Sequence, residues 1–207
     1  MGFKLDAATP PITGHEPRRR IVARLMSAVG AACLAIAGLL TNPSAHAQGH
    51  EVVPWPMRKA VPPLAGTDLD GRLWRLADLR GKAVLINFWA SWCGPCQTEM
   101  PSLQTLAELY GPDKLVVLAV NFKESEPVVQ RYRQRTGFSL PVLLDPSGSI
   151  ARAWGATVYP TTVLVGADGR VQGLVRGELD WSGLAAGKRV DALLAPASAG
   201  ERRATGR

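Results

Sequence analysis

From residue 83 onward the chain switches between short, near-continuous apolar runs and longer stretches where apolar residues recur every three or four positions. The first kind predicts strands buried on both faces, the second helices with one buried side. Ala83–Trp89, Leu115–Val120 and Leu140–Leu144 read as strands. A helix is expected from Pro95 to Gly111-Pro112, with Met100, Leu103, Leu106 and Leu109 on one side. Glu126–Thr136 reads as a charged surface helix with Val128, Val129 and Tyr132 inward, closed by Gly137. Ser149–Trp154 is a short helix, and Thr161–Val165 with Val171–Val175 forms a hairpin about Asp168-Gly169. Trp181–Leu194 is a final helix, weakened by Gly183 and Gly187.

Upstream, Leu64–Leu76 carries Asp70-Gly71 between apolar runs, the mark of a small hairpin. The proline-rich stretch 48–62 reads as an extended lead-in, and 196–207 as a disordered tail. The order is therefore hairpin, β-α-β-α-β-α, then β-hairpin and α. That alternation predicts an α/β domain over 63–195, its central sheet flanked by helices on both faces.

The N-terminus has a different logic. Arg18-Arg19-Arg20 and Arg24 precede Leu25–Leu40, sixteen residues without a charge; Pro43 and the small-x-small Ala45-His46-Ala47 follow. This is the layout of an export signal, with cleavage expected after Ala47 and a periplasmic destination. The competing reading is an inner-membrane anchor over residues 21–40, although sixteen apolar residues fall short of the ~20 that span a bilayer.

The net charge of +7 suggests nucleic acid until it is mapped. Residues 1–47 hold +3 of it and 196–207 hold +2, and the rest shows no basic block and no basic–aromatic interleaving. A phosphate-tracking stripe is absent, so no nucleic-acid partner is expected.

Cleavage after Ala47 would also remove Cys33 and leave Cys93 and Cys96 as the cysteines. A pair three residues apart closes so small a loop that it adds little as a staple. Zinc needs about four ligands, and His50 would be the remaining histidine, so no metal site is expected. Redox chemistry explains the pair better. Cys93 follows a predicted strand and Cys96 opens the next helix, whose free N–H groups stabilise a thiolate. Cys93 can attack a partner's disulfide and Cys96 can resolve the mixed disulfide. Pro95 suits a first helical turn, where no N–H is lost.

Phe88-Trp89-Ala90-Ser91-Trp92-Cys93-Gly94-Pro95-Cys96 resembles the thioredoxin active-site segment. Cys96–Pro101, Phe138 with Pro141–Asp145, and Tyr159-Pro160-Thr161-Thr162 resemble the TlpA/ResA branch of exported thioredoxin-like proteins. The resemblance runs from about residue 60 to 194. It implies a thioredoxin fold, a mixed central sheet flanked by helices, with an N-terminal hairpin extension, and a thiol:disulfide oxidoreductase needing no cofactor beyond a redox-active Cys93–Cys96 disulfide. It implies Pro160 as a cis-proline facing that disulfide, with Tyr159 beside it pairing a bound peptide. Trp92, Gly94 and Pro95 would shape the surface that a client meets. Where thioredoxin has a buried aspartate this chain has Asn87, which cannot exchange a proton. Glu99, one helical turn after Cys96 and expected to be partly buried, is then the candidate to accept the Cys96 proton or tune the thiols. Its competing reading is an N-terminal-turn glutamate that favours the helix dipole. Trp89 and Tyr132 are expected in the core, and Asp145 capping a turn before Pro146 and Gly148.

Gly-Pro between the cysteines matches the strongly reducing thioredoxin couple, so a reductant of client disulfides is expected, recharged by a membrane electron donor. Two other readings stand beside it. One is service to the haem-binding cysteines of apocytochrome c, although Tyr159–Thr162 departs from the Gly-Ala-Pro-Glu-type segment of that branch. The other is a binding module with an inert disulfide.

Overall fold

The computed structural model describes residues 49–195. The expected export signal and the expected disordered tail lie outside the described residues.

Six strands form the main sheet: β1 Glu51–Pro54, β4 Ala83–Trp89, β5 Leu115–Phe122, β6 Val142–Asp145, β7 Thr161–Val165 and β8 Val171–Arg176. Their spatial order is β1-β8-β7-β4-β5-β6. β4, β5 and β6 run parallel, while β7, β8 and β1 continue the sheet antiparallel, so it is mixed, as expected. The predicted hairpin is β2 Ala65–Thr67 with β3 Leu73–Arg75, a separate two-stranded sheet. Asp68 pins its turn by accepting from Asp70 N, Arg72 N and Trp74 Nε1, and it bridges to Leu143 on β6. The stretch 48–62 includes a paired strand, β1, at the edge of the main sheet. Gly177, at φ +88°, allows this entry, because a Cβ there would run into the Gly49 carbonyl.

The helices are α1 Gly94–Tyr110, α2 Glu126–Thr136, α3 Ser149–Trp154 and α4 Leu184–Leu194, with a 3-10 turn at Leu76–Leu79. Successive side chains of β4 point to opposite faces, so its near-continuous apolar run feeds two cores. Leu85 and Trp89 join Met100, Leu103 and Leu106 of α1, Val129 and Tyr132 of α2, and Val190 and Leu193 of α4. Val84, Ile86 and Phe88 join Trp154 of α3 and Trp74 of the hairpin. Truncating a fully buried leucine such as Leu103 to alanine costs about 2–5 kcal/mol.

Two expectations need correcting. Leu109 is 76% exposed rather than on the inner side with Met100. At about 100° per residue, nine residues turn a side chain to the opposite side, so a strict three-residue spacing drifts out of the core. The last helix starts at Leu184, not Trp181. Asp180 Oδ1 accepts from Ser182 N and Oγ, forming a turn that frees Trp181 to fold inward.

Candidate active site

β4 delivers the chain to the sheet's end, where Cys93 N donates to Ala90 O at 3.2 Å and turns the backbone. Cys93 is the N-cap of α1, in extended conformation, and Pro95 occupies the first turn. Cys96 N donates to Cys93 Sγ at 3.3 Å, so a backbone N–H of the helix start points at this sulfur. That N–H and the helix dipole favour a thiolate at Cys93. The two cysteines are joined in a disulfide, their Cα atoms 5.2 Å apart. Cys93 is 6% exposed and Cys96 wholly buried, so Cys93 is the cysteine with surface open to solvent.

Glu99 sits one turn beyond Cys96 and is 2% exposed, deeper than the partial burial its helix-start position suggested. Its Oε1 accepts from Trp181 Nε1 at 2.6 Å and Leu179 N at 3.4 Å, and its Oε2 from Asn87 Nδ2 at 3.1 Å. Asn87 also donates to Thr162 Oγ1 at 2.9 Å, tying Glu99 to the strand after Pro160. Burial raises the Glu99 pKa to about 7, against these three donors, which lower it; Glu178 adds a smaller upward push. Trp181→Phe should therefore carry the Glu99 transition above 7, read by carbon NMR of the carboxyl. An unmoved midpoint would mean that Trp181 does not hold the charged form.

The Tyr159–Pro160 peptide is cis, in agreement with the resemblance. Pro160 O accepts from Gly177 N at 2.9 Å. The Tyr159 ring lies 4.7 Å from Phe122 and 6.4 Å from Trp92, bridging the end of β5 to the cysteine motif. Trp92 is 63% exposed and Gly94 and Pro95 are exposed, so these three form surface beside the sulfurs. Trp89 and Tyr132 are core, 5.0 Å apart between ring centres. Asp145 turns the chain, accepting from Gly148 N with its carbonyl and from Ala151 N with Oδ2 at 2.8 Å.

Sequence reading placed Ser91 and Thr162 in the motif segments but gave them no role, and it missed Trp181 and Glu124 as parts of this region. Trp181 is 82 positions from Glu99, and no local pattern relates them. Among the described residues, no three His, Cys, Asp or Glu are grouped to hold a metal ion. Nor, among the described residues, is any helix long and apolar enough to cross a membrane.

Comparison with known proteins agrees with this geometry. Residues 57–173 match the AhpC/TSA family. Thiol-disulfide oxidoreductase ResA of Geobacillus thermodenitrificans is 36% identical over 119 residues, 58% of this chain and 68% of that protein. A thioredoxin-family thiol:disulfide interchange protein of Chlorobium tepidum superposes with a TM-score of 0.57 at 25% identity, covering 70% of this chain and 98% of that one. An exposed lipoprotein thioredoxin of Streptococcus pneumoniae superposes with a TM-score of 0.56 at 28% identity, covering 63% and 99%. The thioredoxin fold, the paired cysteines at a helix start and these relatives converge: the chain belongs to the AhpC/TSA family and is a ResA-like, thioredoxin-type thiol–disulfide oxidoreductase.

Proposed function

We propose that the protein is an exported reductant of disulfides in periplasmic client proteins. The observation that carries this reading is a helix-N-terminal cysteine that reaches solvent, with a buried carboxyl one turn behind its partner. The Cys93 thiolate attacks a client disulfide and expels one client thiolate. Glu99 takes the proton of the Cys96 thiol, and the new thiolate attacks Cys93 Sγ. The second client thiolate leaves, and two electrons have passed from the dithiol to the client. A carboxyl with a pKa of about 7 suits proton transfer near neutral pH. Trp92, Gly94, Pro95 and Tyr159 line the client's approach, and the backbone beside Pro160 receives its extended segment. Export is supported by the expected signal and by the Streptococcus pneumoniae relative, an exposed lipoprotein. The spent disulfide needs a membrane electron donor.

The test is the reduction potential of the Cys93–Cys96 couple, measured by equilibration in graded thiol buffers. A value close to thioredoxin's, about −270 mV, is expected. A value near roughly −120 mV would reverse the direction and make the protein a disulfide donor.

A further inference from the structure

The segment before Cys93 is held by a side chain from another strand. Trp89, the last residue of β4, is paired in register with Asn121, one residue before the end of β5, so the loops that follow lie side by side. From the second loop Glu124 reaches back with both carboxylate oxygens. Its Oε2 accepts from Ser91 N at 2.6 Å, and its Oε1 from Ser91 Oγ at 2.5 Å. Asn121, wholly buried, donates from Nδ2 to the same Oε2 at 2.8 Å and fixes the carboxylate from below. The remaining Ser91 polar group, its carbonyl, accepts from Gln97 Nε2 at 2.7 Å. Ser91 is thus tied at every hydrogen-bonding group, two residues before Cys93.

The loop that makes this reach is itself unusual. Lys123 has φ +56°, the one non-glycine residue in the left-handed region among the described residues. Such a conformation costs of order 1–3 kcal/mol and persists where surroundings over-determine it. Here Lys123 N donates to Asp145 O at 3.0 Å, and the loop lies so close to Gly148 that a Cβ there would clash with Phe122 and Lys123. Phe122, the last residue of β5, packs its ring against Tyr159 beside Pro160. The end of β5 and the loop that follows therefore touch both halves of the site, Phe122 the cis-proline side and Glu124 the cysteine side.

The geometry points to Glu124 as a positioning residue that aims Cys93 by clamping the Ser91 backbone and hydroxyl. The inference rests on the reading of Cys93 as nucleophile. It concerns the bonds Glu124 accepts, and so it makes a distinction between variants. In Glu124→Gln, one oxygen still accepts from Ser91 N and Asn121. The new amide donates to Ser91 Oγ, whose hydroxyl can turn and accept instead. Glu124→Ala leaves Ser91 N–H and Asn121 without that acceptor.

The experiment uses the reduced full chain with limiting iodoacetamide, whose thioether adduct the second thiol cannot displace, the adduct on each cysteine being followed over time by peptide mapping. Glu124→Ala is expected to slow attack by Cys93 about tenfold or more, as small misplacements of reacting groups do. Glu124→Gln is expected to restore it to within about threefold of wild type. An unchanged rate in Glu124→Ala, or Glu124→Gln as slow as alanine, overturns the proposal. Should Glu124→Ala not fold, Ser91→Ala decides: it removes only the hydroxyl bond, and a rate equal to wild type overturns the clamp. Mapping separates the two layers. A wild-type adduct on Cys96 defeats the nucleophile assignment and this inference with it, whereas an adduct on Cys93 with unaltered variant rates defeats the role of Glu124 alone.

Discussion

Cys93→Ser is expected to abolish disulfide reduction, lowering its rate by at least ~10³-fold, while Cys96→Ser stops the same reaction halfway. The asymmetry follows from depth and from the helix start. Cys93 is the cysteine with surface open to solvent, and its sulfur faces the Cys96 N–H, so it is the one placed to meet an outside disulfide as a thiolate. A serine hydroxyl gains little there, because it stays protonated at any pH the fold tolerates. Cys96 has no exposure and cannot make the first attack. It can only displace the client from Cys93, so Cys96→Ser leaves the client covalently held. Both variants should remain folded, since a loop closed over three residues contributes little to stability. Mass spectrometry after mixing each variant with a disulfide-bridged peptide reads the result. A stable adduct with Cys96→Ser and none with Cys93→Ser is expected; the opposite pattern would exchange the two roles.

What could be read from the chain divides by range. The strand Ala83–Trp89 and helix α1 were legible because their patterns are local: an apolar run broken only by Asn87, then a proline at a helix start. The cysteine pair was legible for the same reason, its geometry being set by three residues of one helical turn. Pro160 in cis came from resemblance, since composition around Tyr159 does not specify a peptide isomer. The environment of Glu99 was not legible. Its burial depends on Trp181, brought in by a turn at Asp180, and on Asn87 from β4, and neither contact leaves a periodic trace. Glu124 escaped for a related reason, because a charged loop residue reads as solvated surface until the strand register places it under Ser91. Edge pairing of β1 is likewise a tertiary outcome, requiring Gly173 and Gly177 to let another backbone approach.

Glu99→Gln should make the oxidised protein more stable at pH 8 and a poorer reductant at the same pH. The sign follows from proton binding. Folded, Glu99 keeps its proton up to about pH 7, whereas the unfolded chain releases it around 4.5. Between those values the folded state binds more protons, so stability falls as pH rises and the loss is complete above 7. At about 1.4 kcal/mol per unit the loss is on the order of 3 kcal/mol. The amide carries no charge to desolvate, so the variant should lack this decline. Its hydrogen bonds can be kept. Oε1 still accepts from Trp181 and Leu179, and rotating the Asn87 amide lets its unpartnered Oδ1 accept from the new Nε2 and from Thr162 Oγ. Urea unfolding between pH 4 and 8 should show the wild-type curve falling where the variant stays flat. Parallel curves would mean that Glu99 does not titrate in this window. The same substitution removes the carboxyl proposed to accept the Cys96 proton, so release of the client from the mixed disulfide should slow about a hundredfold, within the usual range for general-base loss. First attack by Cys93 should be little changed. A destabilising buried carboxyl that accelerates resolution is a stability–function trade, and it predicts both effects from one residue. If the variant gains stability yet resolves its mixed disulfides at the wild-type rate, the carboxyl is a strained packing element and the Cys96 proton leaves by another route.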